Sequence, residues 1–215
     1  MIVSIGGIKG GAGKTTLAVN IAVTLSIKKK RVLLIDSDNQ KSSIKWSIAR
    51  EEIQNSNSIT VIHLPETSVI SQVKKMEPDY DDVIIDVGGR DNTALRASML
   101  ICDIFLTPFR PRSLDIWTLN EIELLLKEGQ ALNPKMKAFS VINQADPRGS
   151  DNRDSKKILA KSDFLIPVKN VICQRKVFSN SIAEGLGVLE YSPVDKKAKK
   201  ELKTLISFIY RSHKN

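Results

Sequence analysis

Aromatic residues, cysteine and histidine are scarce in this 215-residue chain, and their scarcity excludes several kinds of site. Phenylalanine, tryptophan and tyrosine make up 5% of the sequence, too few for a single-strand nucleic-acid binder that stacks bases on a groove of rings. The two cysteines, Cys102 and Cys173, form no CxxC pair, and His63 and His213 are isolated. A structural zinc site is therefore not expected, and both thiols are expected to be buried in a protein of a reducing compartment.

Long apolar segments are also missing. No run approaches the ~20 apolar residues of a membrane-spanning helix. Residues 1–5 lack the charged start and the longer apolar stretch of a signal peptide, so we expect a cytoplasmic protein. The formal net charge is +9, from 33 basic and 24 acidic residues, and it favours polyanionic partners such as nucleic acid, nucleotide or acidic lipid.

Short runs rich in valine and isoleucine alternate with longer amphipathic stretches, and this alternation predicts the fold class. The runs are apolar at successive positions, which is typical of parallel strands covered on both faces. They span residues 2–6, 31–36, 59–63, 82–87, 104–107, 138–142 and 168–172. Helical patterns follow at 15–28 and 113–127, and the polar segment 144–157 predicts a loop leading into a helix. We expect one α/β domain over residues 1–215, with a doubly wound, mainly parallel sheet and helices on both faces.

A glycine-rich segment, GGIKGGAGKTT at residues 6–16, separates the first predicted strand from the first predicted helix. The phosphate-binding pattern GxxxxGK[ST] is met only loosely, because the spacing from Gly7 is one residue too long. Glycines let backbone amides point at phosphate oxygens, and a helix N-terminus adds positive potential. Lys14 would add a full charge, and the Thr15 hydroxyl can ligate Mg²⁺. A glycine turn that only caps a helix is the alternative, but the flanking strand and helix favour nucleotide binding.

Residues 9–16, KGGAGKTT, resemble the deviant Walker motif KGGxxK[ST][ST] of the ParA/MinD family of ATPases, which are P-loop NTPases. The resemblance implies ATP and Mg²⁺ as cofactors, with nucleotide bound by Lys9, Gly10, Gly11, Ala12, Gly13, Lys14, Thr15 and Thr16. In that family the lysine matched by Lys9 reaches across an ATP-bound homodimer to the partner's phosphates, much as an arginine finger does. Lys9 and Lys14 are therefore implied to be catalytic. Taken alone, Lys9 could equally be a solvated loop lysine.

The segment 36–40, DSDNQ, looks like the DxDPQ segment of the family at the end of a strand, with Asn39 in place of proline. Two carboxylates spaced by two residues project in similar directions if strand geometry persists. By resemblance, Asp36 serves the Mg²⁺ site, and Asp38 is a catalytic residue that orients the attacking water.

The segment 83–89, VIIDVGG, looks like a Walker B strand followed by a flexible switch. The resemblance implies that Asp86 holds Mg²⁺ together with Thr15 and Asp36. An apolar run followed by one aspartate is also common at ordinary strand ends. The order and spacing of the three segments favour the Mg²⁺ site.

Asn143 follows the predicted strand 138–142, at the edge where α/β sheets bind ligands. In the family an asparagine here contacts adenine, with Pro147 and Arg148 as candidates to flank the base, although a turn explains Asn143 equally well. Residues 107–115 and 172–188 also resemble segments of small partition ATPases. The resemblance thus covers nearly the whole chain and is closest to short plasmid partition proteins that lack an N-terminal DNA-reading extension.

A basic amphipathic helix is predicted near the C-terminus. Its apolar stripe is Leu202, Leu205, Ile206 and Ile209, and its basic residues are Lys196, Lys197, Lys199, Lys200, Lys203 and Arg211. The helix could pack on the sheet, lie on an acidic membrane as in the MinD branch, or contact DNA phosphates. We expect the stripe to complete the core and do not expect membrane binding. The charged face, with Lys169, Arg175 and Lys176, fits nonspecific DNA binding.

Taken together, the resemblance implies a ParA-like partition ATPase that is cytoplasmic and nucleoid-associated. It would bind Mg-ATP, form an ATP-sandwich homodimer, bind DNA nonspecifically and hydrolyse ATP to ADP and phosphate. Hydrolysis would be slow until a small centromere-binding protein of the ParB/ParG kind stimulates it, and the cycle would segregate or position plasmid or chromosomal DNA. Two alternatives stay open: a MinD-like ATPase on a membrane surface, and an adaptor that positions a polar protein complex or enzyme without handling DNA. A metal-cluster carrier of the same superfamily is disfavoured, because its paired cysteines are absent.

Overall fold

A computed structural model describes residues 1–53, 58–65, 68–89, 92–111 and 119–214. Within these ranges the chain forms the strands β1 (Ile2–Ile5), β2 (Val32–Asp36), β3 (Thr60–His63), β4 (Asp82–Asp86), β5 (Ile104–Phe109), β6 (Lys137–Ile142) and β7 (Ile166–Pro167). The helices are α1 (Lys14–Ile27), α2 (Ser42–Glu51), α3 (Val69–Met76), α4 (Thr93–Ile101), α5 (Leu119–Leu132), α6 (Asp151–Leu159), α7 (Lys176–Ala183) and α8 (Lys196–Lys214), with a short 3₁₀ turn at Glu77–Asp79.

The strands form one parallel sheet in the order β3-β2-β4-β1-β5-β6-β7, which confirms the predicted fold class. Successive strand residues point to opposite faces, so the sheet separates two apolar clusters. Ile2 lies in the cluster formed with α3, α4, α5 and α6, whereas Val3 lies in the cluster formed with α1, α2, α7 and α8. Coverage on both faces explains why the strands read as continuous apolar runs. That one domain spans residues 1–215 stays a prediction.

The last predicted strand was misplaced. The structure has β7 at Ile166–Pro167, and residues 168–172 are not a regular strand. Val168 N–H still donates to the Ser140 carbonyl at 2.8 Å, and Ile172 N–H donates to the Ile142 carbonyl at 2.9 Å. The polar pair between them, Lys169 and Asn170, forms a bend that interrupts the ladder.

The predicted helix over 113–127 is found as α5, which reaches Leu132. The first part of the prediction, residues 113–118, lies outside the described residues. The predicted helix after the phosphate loop is α1, and the helix expected after the polar segment is α6. Both cysteines are buried, as predicted.

Helix α8 completes the core, as predicted for its apolar stripe. Leu202, Leu205 and Ile209 are 0% exposed and Ile206 is 2% exposed. At the far end of the helix, Tyr210 Oη donates to Asp82 at 3.0 Å, and Lys30 Nζ lies 2.6 Å from the same carboxylate. No helix in the described part of the chain is long and apolar enough to cross a membrane.

A loop over residues 184–191 joins three helices, and we call it the bridging loop. Val188 N–H donates to Asn20 of α1 at 2.8 Å, and Trp46 of α2 donates its indole N–H to the Leu186 carbonyl at 3.2 Å. Arg50, one turn further along α2, forms a two-bond ion pair with Glu190 and lies 5.2 Å from the Trp46 ring. On the α8 side, Lys199 Nζ donates to the Leu189 carbonyl at 2.7 Å.

Candidate functional site

The carboxyl ends of β1, β2 and β4 meet at a cavity of about 890 Å³, within the usual size range of small-molecule sites. Three segments predicted from the sequence line it, namely the glycine loop, the loop after β2 and the loop after β4. Its described lining residues are Gly10, Gly11, Gly13, Lys14, Thr15, Thr16, Asp38, Asn39, Gln40, Ser42, Gly88, Gly89, Asn92 and Gln144. Ala12, Asp36, Asp86 and Asn143 are buried behind this wall.

The glycine loop adopts a conformation that its sequence permits. Gly11 and Gly13 have φ angles of 74° and 87°, in the left-handed region that side chains disfavour. Helix α1 begins directly afterwards at Lys14, so the first N–H groups of the helix face the cavity end of the loop. Such a loop followed by a helix N-terminus binds anions well.

Two amide side chains hold the loop from the β6 side. Asn143 Nδ2 donates to the Ala12 carbonyl at 2.7 Å, and Gln144 Nε2 donates to the Gly11 carbonyl at 2.9 Å. The adenine contact implied for Asn143 stays a prediction, and the structure adds a bracing contact to the loop. Gln144 was not predicted. Its φ of 55° and its reach to the loop depend on backbone placement that the sequence does not display.

Lys14 is 7% exposed, and its ammonium donates to the Lys9 carbonyl at 2.9 Å. Burial lowers the pKa of Lys14, while the nearby carboxylates of Asp86 and Asp38 act in the opposite direction. The structure therefore brings three of the predicted residues into one electrostatic group.

Lys9 is half-buried at the start of the loop. Its carbonyl accepts the bond from Lys14, but no hydrogen bond or ion pair joins its own ammonium to any described residue. The Lys9 ammonium is thus not committed to a partner in the part of its own chain that the structure describes.

Asp36 and Asp86 are register partners at the ends of the neighbouring strands β2 and β4. Asp36 accepts backbone N–H groups of Asp38 at 3.0 Å and Ile44 at 3.1 Å, and Asp86 accepts the hydroxyl of Ser43 at 2.8 Å. Burial raises the pKa of Asp36 and raises the pKa of Asp86 to about 7.

The donor set beside the glycine loop fits Mg²⁺. Interaction with the Thr15 hydroxyl acts to lower the pKa of Asp86, which places this hydroxyl beside the carboxylate. One hydroxyl and two buried carboxylates supply the oxygen ligands that this cation prefers. A divalent cation would also offset the cost of two ionised carboxylates side by side away from water.

Asp38 differs from these two acids because it lines the cavity. Its Oδ1 accepts the Gln40 N–H at 2.9 Å in a tight turn, and its Oδ2 lies beside the Gly88 backbone. The turn forms with Asn39 in the place where the resembling family has proline. The structure thus directs the Asp38 carboxylate toward the space between the loops after β2 and β4.

Gly89 lies against the glycine loop. A Cβ atom built on Gly89 would stand 2.9 Å from the Gly10 Cα and 3.0 Å from the Lys14 ammonium. No side chain fits there without a shift of backbone. The segment after β4 therefore reaches the glycine loop itself. The switch role of this segment stays a prediction.

Comparisons with known proteins agree with this geometry. Residues 3–188 match the family described as the CobQ/CobB/MinD/ParA nucleotide binding domain. The maintenance of carboxysome distribution protein A of Halothiobacillus neapolitanus is 27% identical over 214 residues, covering 97% of this chain and 96% of that protein. Protein ParA of Rhizobium radiobacter is 28% identical over 147 residues, covering 68% of this chain and 65% of that protein.

A solved structure shares the fold. The septum site-determining protein MinD of Pyrococcus horikoshii, complexed with Mg-ADP, superposes with a TM-score of 0.74 at 16% identity. The match covers 97% of this chain and 95% of that one.

Proposed function

This chain belongs to the CobQ/CobB/MinD/ParA family of nucleotide-binding proteins, and from that premise we propose that it is a ParA-like ATPase that positions or partitions cargo. Its ParA/MinD relatives are ATPases of positioning and partition. The observation that carries the proposal is the convergence of Lys14, Asp38 and the pair Asp36–Asp86 on one glycine-lined cavity. These groups suit a triphosphate, its cation and an attacking water.

Each residue has a proposed task. The amides of residues 10–16 and the Lys14 ammonium bind the phosphates. Thr15, Asp36 and Asp86 hold Mg²⁺, which when bound neutralises charge on the phosphate oxygens. Asp38 orients the water that attacks the terminal phosphate, so that ATP and water yield ADP and phosphate.

We propose that Lys9 acts on the nucleotide of a second copy. Its ammonium has no partner among the described residues of its own chain, which leaves it available for phosphate oxygens across an ATP-sandwich dimer. Lys9→Ala should abolish ATP-dependent dimerisation and turnover while leaving the binding of ADP to the monomer within about twofold. Lys41→Ala, which removes another lysine beside the cavity, is the matched control. Equal dimerisation by the Lys9→Ala protein would refute this role.

The basic face of α8 is the proposed DNA surface. Lys196, Lys200, Lys203 and Arg211 line one shallow groove of about 730 Å³, and the apolar stripe beneath them is buried in the core, so it cannot also enter a bilayer. Arg175, expected to join this face, instead pairs with Glu201 at 2.7 Å and is left out of the surface. Lys169 and Lys176 are exposed and stay candidates.

Neutralising two of these lysines tests the surface. Lys200→Gln with Lys203→Gln should lower the slope of log affinity against log salt by up to about 4 for the ATP dimer, because the dimer carries each lysine twice and each phosphate contact releases about one counterion. Lys74→Gln with Lys75→Gln, on the opposite face of the sheet, is the matched control. An unchanged slope in the α8 variant would refute the assignment.

The cargo has two candidates. Plasmid or chromosomal DNA, delivered through a small centromere-binding partner, follows from the likeness to partition proteins. A protein assembly is the second candidate, because the relative that matches this chain almost end to end is named for carboxysome distribution. Both kinds of cargo would be moved by the same proposed cycle of ATP binding and hydrolysis, and only the partner that stimulates hydrolysis would differ. In either case we propose a cytoplasmic, nucleoid-associated protein.

One experiment separates these readings. Particle size and DNA retention are compared with ADP and with a slowly hydrolysed ATP analogue, at low and high salt. We expect a dimer that retains DNA only with the analogue and loses it as salt rises. A dimer that never retains DNA favours the adaptor reading, and sedimentation with acidic vesicles at physiological salt favours the membrane reading. No response to either nucleotide refutes the proposed function.

A further inference from the structure

Ser43 lies between the two buried carboxylates at the floor of the site. Its hydroxyl donates to Asp86 Oδ2 at 2.8 Å, and the N–H of the next residue, Ile44, donates to Asp36 Oδ2 at 3.1 Å. The side chain is 0% exposed, and Asp86 is 1% exposed. Ser43 therefore bonds directly to Asp86 and precedes the residue that bonds to Asp36, although it is not among the described residues that line the cavity.

The position of Ser43 follows from helix α2. The helix begins at Ser42, and the Ile44 N–H in its first turn donates to Asp36 at 3.1 Å. A helix N-terminus attracts negative charge, so α2 approaches the acids with its positive end. The hydroxyl of Ser43 donates to Asp86 at the end of the neighbouring strand β4. Among the described hydrogen bonds, this side chain is the donor from α2 to Asp86.

A carboxylate on an aspartate turns easily, because its terminal torsion has broad, two-fold preferences. The Ser43 hydroxyl donates to Asp86 from the α2 side at 2.8 Å, and the Thr15 hydroxyl, on the glycine-loop side, acts to lower the pKa of Asp86. The bond from Ser43 limits the rotation of the carboxylate. Without Ser43 one of its oxygens would be buried with no donor, and the carboxylate could rotate away from Thr15.

We infer that Ser43 is a positioning residue for Mg²⁺: it fixes the Asp86 carboxylate in the orientation that binds the cation, without touching nucleotide. The inference rests on the proposed function, in which Asp86 and Thr15 hold Mg²⁺. Outer-sphere partners of this kind alter metal affinity by about 10- to 100-fold. The loss should therefore appear in Mg²⁺ affinity and not in the affinity for nucleotide alone.

The test compares Ser43→Ala and Ser43→Cys with Ser47→Ala. Cysteine fills nearly the same space as serine but donates weakly, so a loss shared by both Ser43 variants belongs to the hydrogen bond and not to a cavity. Ser47, one turn later on α2, donates to the Ile44 carbonyl at 2.8 Å and is the matched control. Thermal unfolding is followed with saturating ADP while Mg²⁺ is varied, and ADP affinity is measured separately in EDTA.

We expect both Ser43 variants to need about tenfold more Mg²⁺ for half-maximal stabilisation, with ADP affinity in EDTA unchanged. If Ser43→Ala does not fold, Ser43→Cys carries the same test. A Mg²⁺ requirement equal to that of Ser47→Ala, or an equal loss of affinity in EDTA, would overturn the role of Ser43 alone. An unsubstituted protein whose ADP complex ignores Mg²⁺ would overturn the proposed function, and this inference with it.

Discussion

The phosphate loop offers a graded test of its geometry through three glycine-to-alanine substitutions. A Cβ at Gly10 would meet nothing within 4 Å, and a Cβ at Gly11 would also lie in open space, although Gly11 has a φ of 74°. A Cβ at Gly13, where φ is 87°, would clash with Asn143 Nδ2. An alanine is therefore expected to meet no obstacle at Gly10, backbone strain alone at Gly11, and both backbone strain and a steric clash at Gly13.

The expected losses in the free energy of unfolding follow from these differences. Gly10→Ala should change it by no more than about 0.5 kcal/mol, as at other unhindered surface sites. Gly11→Ala should cost about 1–2 kcal/mol for a left-handed conformation. Gly13→Ala adds the displacement of the buried Asn143 amide from the Ala12 carbonyl, about 1–3 kcal/mol. Its sum of about 2–5 kcal/mol is a large part of the stability of a typical domain.

Urea unfolding without nucleotide measures all three losses, and a double-mutant cycle assigns the clash. In an Asn143→Ala background, Gly13→Ala should cost only about as much as Gly11→Ala does in the native chain, because the obstructing amide is gone. If Gly13→Ala and Gly11→Ala were equally stable in the native chain, the packing of Asn143 against the loop would be refuted.

Three further predictions concern the nucleotide site. Lys14→Ala should abolish nucleotide binding or turnover, measured with a fluorescent ADP analogue and by phosphate release, and full activity would remove its assigned task. Asp38→Ala should bind ATP normally but remain a dimer, because water is no longer oriented; size measurement after ATP addition checks this, and normal turnover contradicts it. Since burial raises the pKa of Asp86 to about 7, the carboxyl is protonated below that pH, and Mg²⁺ must displace the proton. Mg²⁺ affinity of the ADP complex should therefore fall about tenfold per pH unit below 7 and level off above it, whereas Asp86→Asn should show a weaker dependence on pH over the same range.

Much of the site could be predicted because parallel strands end at one edge of a sheet. Asp36 and Asp86 each follow an apolar run, so their meeting as register partners required only that both runs be strands of one sheet. The buried stripe of α8 was similarly readable from helical spacing. The position of β7 could not be predicted from the sequence, because a strand of two residues has no periodicity to detect.

The missed residues depend on contacts between distant segments. Gln144 reaches Gly11 only through an unusual backbone angle, and Ser43 reaches Asp86 only because α2 starts where it does. Arg175 looked like a free basic residue, yet its partner Glu201 lies 26 positions away on α8. The sequence shows which side chain stands at a position, but it does not show which distant residue that side chain will contact in the fold.

The environment of the Trp46 side chain makes this residue an intrinsic fluorescent reporter. The indole N–H is bound to the bridging loop, and the Arg50 guanidinium lies over the ring, while the same helix starts at the floor of the nucleotide site. Tryptophan emission depends on such hydrogen bonds and neighbouring charges. A displacement of α2 therefore changes the emission maximum and the quantum yield of Trp46. With Trp117, the other tryptophan, replaced by phenylalanine, a stopped-flow fluorimeter can time the ATP cycle without any attached dye.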